Sequence, residues 1–186
     1  MPKLAVAVSG SGTLLEAMAK EKVPIALVIA DRHCRGIDEV APRYGLQSWL
    51  ITRKDYGTAF DRVAYSRRVR QVLQERNIDI LAMAGFMTIL SPEFFEGRYA
   101  GRVLNTHPSL LPSFKGDHAV RDALEYGVKV TGCTIHVATA KLDKGPILAQ
   151  EAVRVLPGDT VESLHERIKV VERSLYPNIL RALLAQ

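Results

Sequence analysis

Short apolar segments alternate with longer amphipathic segments through the first half of the chain, and this alternation limits the fold more than any other feature. Five segments are typical of buried strands: residues 4–9, 24–30, 47–51, 79–85 and 101–105. Three segments between them have the spacing of amphipathic helices: residues 13–21, 37–45 and 58–76. Apolar strands separated by helices pair in parallel and are covered on both faces. The pattern therefore predicts an α/β fold with a Rossmann-like, doubly wound, mostly parallel sheet.

The second half of the chain has a different pattern. Residues 131–139 and 147–155 each alternate apolar and polar side chains, and the turn KLDKGP joins them. Two such segments with a short connection predict an antiparallel hairpin, so we expect a mixed sheet. Asp159 and Glu162 then have the spacing of a capping box. They are expected to open a long C-terminal helix over residues 161–185, which Pro177 should kink or break.

The composition indicates the number of domains and the cellular compartment of the protein, but it says little about any reaction that the protein catalyses. A length of 186 residues predicts one domain. The two cysteines, Cys34 and Cys133, lie far apart without metal-ligand spacing, which indicates a reduced, cytoplasmic protein with no metal site. No segment approaches the length of a membrane span, so no membrane partner is expected. The net charge of +5 suits an anionic substrate or a nucleic-acid surface and decides between neither.

A glycine-rich turn lies between the first strand and the first helix, in the sequence SGSGTLLEAM. Backbone N–H groups at such a helix N-terminus suit a phosphate. The turn lacks the Lys-Ser/Thr pair of a Walker A loop, and Leu15 replaces the third glycine of a dinucleotide fingerprint. Asp31 nevertheless ends the second strand, where an NAD site keeps its ribose-binding acid. A nicotinamide dehydrogenase and a tight turn without any ligand are therefore alternatives to phosphate binding.

Two polar residues follow the apolar strand in LNTHPSLLP. Asn105 and His107 lie on the same face if the strand extends that far, because side chains alternate along a strand. The carboxyl end of a parallel strand is where open α/β sheets bind ligands. An amide donor and a histidine together suit an oxyanion that develops on a carbonyl group. The alternative is structural, with Asn105 capping the loop and His107 satisfying a buried carbonyl.

The turn KLDKGP contains a candidate partner for the histidine. Asp143 beside His107 would favour the charged imidazolium, although Asp-x-Gly-Pro is also good turn chemistry. Thr134 and His136 share one face of their strand and could line the same site or form hydrogen bonds across the sheet. Spacing alone does not bring these segments together.

Three segments, in this order, resemble the folate-dependent formyltransferase family: SGSGTLLEAM, AGFMTILSPEFFEGRYAGRVLNTHPSLLPSFKG and VKVTGCTIHVATAKLDKGPILAQEAVRV. The motifs Asn-x-His-Pro-Ser-Leu-Leu-Pro and Leu-Asp-x-Gly-Pro stand at the family spacing, and the resemblance covers residues 4–177. It implies a single domain with the formyltransferase fold over residues 1–186. Residues 1–100 would form the phosphate-binding half, and residues 101–186 would form the catalytic and folate-binding half.

The resemblance also implies an activity, the transfer of a formyl group from 10-formyltetrahydrofolate to the amine of glycinamide ribonucleotide in purine biosynthesis. The amine would attack directly, and Asn105 and protonated His107 would stabilise the resulting oxyanion. Asp143 would hold His107 in its charged form and, with an ordered water, assist proton transfer. Small-molecule substrates are implied, with no nucleic acid and no metal, in a monomer or a homodimer.

The same resemblance implies which residues bind the two substrates. The glycinamide ribonucleotide would contact Gly12, Thr13, Leu14, Lys169, Val170, Val171 and Glu172. The folate would contact Arg62, Met87, Thr88, Ile89, Leu90, Asn105, Thr139, Ala140, Lys141, Leu142 and Asp143.

The chain departs from the family pattern at three of these positions. Leu14 replaces a frequent asparagine, Thr88 a common arginine and Lys169 a frequent glutamine, which puts the strength of both substrate contacts in question. Relatives that use water or methionyl-tRNA as the acceptor usually carry a further domain. None is expected from these 186 residues, which favours glycinamide ribonucleotide as the acceptor. Formyltetrahydrofolate hydrolase is kept as an alternative, as is a non-catalytic nucleotide-binding module.

Overall fold

A seven-stranded sheet forms the centre of the molecule in the computed structural model, which describes residues 1–55 and 57–185. The strands are β1 Leu4–Val8, β2 Ile25–Ala30, β3 Ser48–Leu50, β4 Ile80–Met83, β5 Val103–His107, β6 Val130–Val137 and β7 Ile147–Arg154. They lie in the order β3-β2-β1-β4-β5-β6-β7. Strands β1 to β5 pair with one another in parallel, whereas β6 is antiparallel to both β5 and β7. The predicted mixed sheet with a C-terminal hairpin is confirmed.

Helices cover both faces of this sheet. They are α1 Thr13–Lys20, α2 Ala41–Arg43, α3 Arg62–Glu75, α4 Ala119–Tyr126 and α5 Val161–Leu184. Short 3₁₀ turns occur at Gly57–Ala59, Pro92–Phe95 and Gly97–Tyr99. None of the helices in the described ranges is long and apolar enough to cross a membrane.

The side chains of β1 point alternately to the two faces of the sheet, and each face packs into a separate hydrophobic core. Val6 packs with Leu15 of α1 and Leu164 of α5, whereas Ala7 packs on the other face with Val69 of α3. All five residues of β1 are buried, as a strand covered on both faces requires. The sheet therefore has the doubly wound arrangement that the apolar segments predicted.

The segment predicted as one helix over residues 37–45 is irregular. A π-helical turn, Gly36–Val40, runs into the three-residue α2, which includes Pro42. Gly36 packs against Gly12 of the glycine turn, so the start of this segment is held by tertiary contact.

The long helix α5 corrects two expectations, one at its start and one in its middle. Its N-cap is Thr160, whose hydroxyl accepts a hydrogen bond from the Ser163 N–H, so the capping box lies one residue later than the Asp159–Glu162 pair. Asp159 instead accepts hydrogen bonds from Arg167 and from the Leu156 N–H. The helix also continues through Pro177, which is buried. Pro177 therefore does not break the helix, and the expected alternative, a kink at this residue, stays a prediction.

Candidate active site

Strand β5 ends at His107, two residues later than predicted, and this extension positions the site. Asn105 and His107 therefore lie on one face of the sheet and Thr106 on the other. Across the antiparallel ladder, Asn105 pairs with His136 and His107 pairs with Thr134. The pairing brings four polar side chains to the same face at the carboxyl end of β5.

Asp143 lies between the two histidines. Its Oδ2 is 3.5 Å from His107 Nδ1, and its Oδ1 is 3.7 Å from His136 Nε2. The Gly116 N–H donates to Oδ2 at 2.9 Å and orients the carboxylate. Asp143 is buried, and its backbone has a φ of 51°, a left-handed conformation that aims the side chain inward from the turn. The structure thus brings Asn105, His107 and Asp143 together.

The other nitrogen of His107 is held by the loop that follows β5. Nε2 lies 2.7 Å from the Phe114 carbonyl oxygen, which can only accept, so Nε2 carries the proton. Phe114 has a φ of 51°, an uncommon conformation for a bulky residue. The Leu111–Pro112 peptide bond in this loop is cis. Both ring nitrogens of His107 therefore already face protein acceptors.

Two residues of the hairpin hold the same loop in place. The Thr134 hydroxyl donates to the Ser109 carbonyl at 2.6 Å. The Gln150 amide donates to the Leu111 carbonyl at 2.8 Å and to the Thr134 hydroxyl at 3.0 Å. The loop that carries Phe114 is thus attached to β6 and β7.

His136 orients the amide of Asn105. Its Nδ1 lies 3.1 Å from the Val137 carbonyl, so this nitrogen carries the proton, and Nε2 can accept from Asn105 Nδ2 at 3.4 Å. Burial lowers the pKa of His136, and it outweighs the opposing effects of the Val137 carbonyl and of Asp143. A neutral His136 uses one N–H of Asn105 and leaves the second for a ligand.

A cavity of about 330 Å³ opens beside these residues. The predicted folate residues in its lining are Arg62, Thr88, Ile89, Leu90, Asn105, Thr139, Ala140, Leu142 and Asp143. His136, raised as a possible site residue, also lines it, and sequence reasoning missed Met83, Phe86, Phe95 and Ala138. These apolar residues were indistinguishable from core, although Phe86 and Phe95 stand in the segment that carried the family resemblance.

Two predicted folate residues are not part of the lining. Met87 is 65% exposed, and its backbone N–H donates to the Ser9 hydroxyl at 2.8 Å. Lys141 is exposed, and its carbonyl accepts from the Thr139 hydroxyl at 3.0 Å.

A second groove, of about 480 Å³, lies between α3 and the segment around Glu93. Its lining, which includes Arg67 and Glu93, contains none of the predicted site residues.

The glycine turn has the geometry of an anion site. Gly12 precedes α1 in the left-handed region, with a φ of 68°, and no side chain caps the helix. The first N–H groups of α1 are consequently available to a ligand. Leu14 is buried in the core, so only its backbone can take part. Arg35 donates to the Ser11 carbonyl at 2.7 Å and holds the turn against the segment that follows β2.

The predicted α5 residues divide between the interior and the surface. Glu172 lies behind β5 and accepts a hydrogen bond from the Thr106 hydroxyl at 2.7 Å. Burial raises the pKa of this carboxyl group, which the Thr106 bond only partly opposes. Lys169 pairs with Glu166 at 2.8 Å, Val170 is exposed and Val171 is half-buried. Glu172 is thus on the opposite face of β5 from Asn105 and His107.

Asp31, the candidate ribose ligand of a dinucleotide site, is fully buried. Its carboxylate accepts from the Thr88 hydroxyl at 2.6 Å and from two nitrogens of Arg32 at 3.0 Å. This enclosure is not suited to a ribose hydroxyl and counts against the nicotinamide alternative. Across residues 1–55 and 57–185, no group of three His, Cys, Asp or Glu side chains is arranged to hold a metal ion.

Known proteins are similar to this chain in sequence and in fold. The family described as formyl transferase matches residues 2–180. A phosphoribosylglycinamide formyltransferase of Mycobacterium tuberculosis is 43% identical over 97% of this chain and 84% of its own length. The structure of glycinamide ribonucleotide transformylase 1 from Symbiobacterium toebii has a TM-score of 0.89 and 40% identity, over 97% of this chain and 86% of that one. The phosphoribosylglycinamide formyltransferase structure from Bacillus halodurans gives a TM-score of 0.89 and 39% identity, over 99% and 96%. The chain therefore belongs to the formyl transferase family.

Proposed function

We propose that this enzyme transfers a formyl group from 10-formyltetrahydrofolate to the amine of glycinamide ribonucleotide, in cytoplasmic purine biosynthesis. The observation that carries the proposal is the convergence of Asn105, His107 and Asp143, of which Asn105 and Asp143 line the cavity and the buried His107 lies behind Asp143. Relatives similar over almost the whole chain carry the corresponding name.

The proposed reaction is a direct transfer. The amine nitrogen attacks the formyl carbon, and the carbonyl oxygen becomes an oxyanion. The new C–N bond remains, the bond to the folate nitrogen breaks, and the proton lost by the amine passes to that nitrogen. An oxyanion of this kind is stabilised by preorganised donors and positive charge.

Each of the three residues has a distinct part in this proposal. Asn105 supplies the direct donor, because His136 occupies only one of its two amide N–H groups. His107 contributes the field of its positive charge, since both its nitrogens face Phe114 and Asp143. Asp143 favours that charge by Coulomb attraction at 3.5 Å and, with a water, assists the proton transfer.

The cavity chemistry fits the aromatic and acidic parts of a folate. Phe86, Leu90 and Phe95 supply apolar walls for the ring system. Arg62, at the start of α3, supplies a cation for the glutamate carboxylates. The turn around Thr139 offers backbone groups for the polar edge of the ring.

The phosphate and ribose of the acceptor are proposed to lie on the α1 and α5 side of β5, with the amine at the carboxyl end of β5 beside Asn105 and His107. The N–H groups that follow Gly12 would hold its phosphate, and Glu172 would contact its ribose. On this proposal, residues 1–100 carry the phosphate site, and residues 101–186 carry the catalytic side chains.

A spectrophotometric assay with a 10-formyl folate analogue tests the proposal directly. We expect release of the deformylated folate only when glycinamide ribonucleotide is present. Release without the acceptor would instead identify a hydrolase. Absence of release with the acceptor would refute the transferase proposal, and tight binding of NAD would restore the dehydrogenase.

Replacing either Asn105 or His107 by alanine tests their roles. Loss of one oxyanion-stabilising group usually costs about 10²–10³ in rate, so kcat should fall by about that factor in each variant. Steady-state kinetics measures the effect. Asn178→Ala and His33→Ala, which change exposed residues outside the site, are matched controls. Wild-type turnover of His107→Ala would remove His107 from the mechanism.

A further inference from the structure

Three polar residues meet where three neighbouring parallel strands end. Ser9 follows β1, Asp31 follows β2 and Thr88 lies a few residues beyond β4. Because β2, β1 and β4 are adjacent in the sheet, their carboxyl ends lie side by side. All three residues are buried.

Asp31 is the centre of this cluster. Its Oδ2 accepts from the Thr88 hydroxyl at 2.6 Å, and its two oxygens accept from Arg32 at 3.0 Å. Burial pushes the pKa of Asp31 upward, but hydrogen bonds from Arg32, Thr88 and Ser9 outweigh it and hold the pKa below its ordinary value. Asp31 is therefore a charged acceptor, and a hydroxyl bonded to a charged acceptor is held more strongly than one bonded to a neutral group.

The segment after β4 depends on such contacts for its position. Residues 86–90 have no helix or strand hydrogen bonding. The Met87 N–H donates to the Ser9 hydroxyl at 2.8 Å, Thr88 donates to Asp31, and the Ser91 N–H donates to the Ser66 hydroxyl at 2.8 Å. Each of these anchors uses a side chain from another part of the chain.

The same segment forms a wall of the cavity. Thr88, Ile89 and Leu90 line it, whereas Asp31 does not. The Thr88 hydroxyl is directed to Asp31 at 2.6 Å, and the residue is only 2% exposed. The Thr88 hydroxyl therefore attaches this wall of the cavity to Asp31 and does not point into the cavity.

We propose that Asp31 is a positioning residue that sets the affinity for the folate by fixing this wall through Thr88 and Ser9. The inference rests on the proposed function, because it assigns the cavity to a folate. Ser9 also begins the glycine turn, so the cluster joins the walls of both proposed substrate sites.

Binding of a dideaza folate analogue, measured by fluorescence titration, tests the proposal. Asp31→Asn and Thr88→Val should each weaken binding about tenfold, which corresponds to about 1.4 kcal/mol. The kcat should change much less, because the reacting groups are elsewhere. Thr88→Ser keeps the hydroxyl and should bind within about twofold of the wild type, since a serine can donate the same hydrogen bond. Equal binding by folded Thr88→Val and wild type would overturn the proposal, as would equal loss in Thr88→Ser and Thr88→Val.

A double-mutant cycle separates anchoring from direct contact. If Thr88 acts through Asp31, combining Asp31→Asn with Thr88→Val should cost clearly less than the sum of the single effects. Fully additive effects on binding would show that Thr88 does not act through its hydrogen bond to Asp31. If Asp31→Asn does not fold, the Thr88→Ser and Thr88→Val pair decides alone.

The matched control is another buried threonine. Thr131 is 1% exposed, and its hydroxyl has no hydrogen-bond partner among the described residues. Thr131→Val should therefore leave folate affinity unchanged, and a loss there equal to that of Thr88→Val would overturn the proposal. Failure of the wild type itself to bind the analogue would refute the proposed function instead.

Discussion

Among single residues, Gly12 occupies a position that no other residue can take without strain. Its φ is 68°, and a Cβ there would lie 2.5 Å from the Gly36 Cα. A side chain would therefore both disfavour the left-handed backbone and push the two segments apart.

We predict that Gly12→Ala lowers the free energy of unfolding by at least about 2 kcal/mol, from the left-handed penalty and the overlap together. Urea denaturation measures this loss. Gly10→Ala is the matched control, since Gly10 has no positive φ and a Cβ added there would have no other atom within 4 Å. Equal stability of the two variants would contradict the close-contact argument.

The proposed roles of His107 and Asp143 likewise depend on the backbone conformation of single residues rather than on side-chain type alone. Phe114 and Asp143 both have a φ of 51°, and they contact the two nitrogens of one imidazole. Uncommon conformations of this kind cluster at functional sites. This geometry is a property of the folded loops and has no signature in the spacing of the motifs.

Among the structural elements, the turn between β6 and β7 sets the position of Asp143. Gly145 lies against β6 so closely that a Cβ would overlap the Val137 carbonyl oxygen. The Val137 N–H also donates to the Pro146 carbonyl at 2.8 Å, which ties the turn to the end of β6. The glycine in Asp-x-Gly-Pro is thus required by packing as well as by the turn.

We predict that Gly145→Ala leaves the chain folded but displaces the Asp143 loop. A misplacement of about 1 Å at a catalytic group can cost about 10² in rate, so kcat should fall by about that factor. Kinetics and circular dichroism together check the expectation. Gly158→Ala is the control, because it strains a turn with a positive φ outside the cavity lining and should lower stability without changing kcat. A Gly145→Ala enzyme with wild-type kcat would disprove the packing argument.

The start of α5 supports a second prediction about an element. Thr160 and Ser163 exchange the two hydrogen bonds of a capping box. Thr160→Ala should cost about 1 kcal/mol of stability, as is usual for loss of an N-cap. Thermal and urea denaturation measure the cost, and Thr160→Asp, which keeps a capping acceptor, should recover most of it. No difference between the alanine and aspartate variants would place the cap elsewhere.

For the molecule as a whole, buried histidine makes stability depend on pH. Burial lowers the pKa of His136 below the ordinary 6.5, so the unfolded chain binds this proton more readily than the folded one. Stability should therefore fall as the pH drops below about 6.5 and level off once the folded state is also protonated. Burial also lowers the pKa of His165, which adds to the same trend.

We predict that His136→Gln flattens the fall in stability between about pH 7 and pH 5, because it removes one proton that only the unfolded state takes up readily. The measurement is the slope of the unfolding free energy against pH. Asn178→Ala, a change at an exposed residue whose side chain does not titrate, should retain the wild-type slope. An unchanged slope in His136→Gln would show that other groups cause the acid sensitivity.

Local patterns were sufficient for most of the sheet and insufficient for the ends of its elements. The apolar strands of the first half were found because burial on both faces leaves continuous apolar segments. Local patterns did not predict the extension of β5 to His107, the shift of the α5 cap to Thr160 or the continuation of the helix through Pro177. Strand pairing with β6 decides the first feature and packing of the buried Pro177 the last, and both depend on distant segments. The cap is local, because Thr160 and Ser163 are three residues apart, and it was missed in favour of the Asp159–Glu162 pair.

Local sequence alone was enough for the α/β alternation, the glycine turn before α1 and the shared face of Asn105 and His107, because these depend on backbone conformation over a few residues. Contacts between distant segments placed Asp143 between His107 and His136, since that arrangement needs the β5–β6 register and the left-handed turn together. Such contacts also made Asp31 a buried anchor rather than a ligand. Its side chain is enclosed by Arg32 and by Thr88, which lies beyond another strand end, and the proximity of strand ends is a property of the assembled sheet.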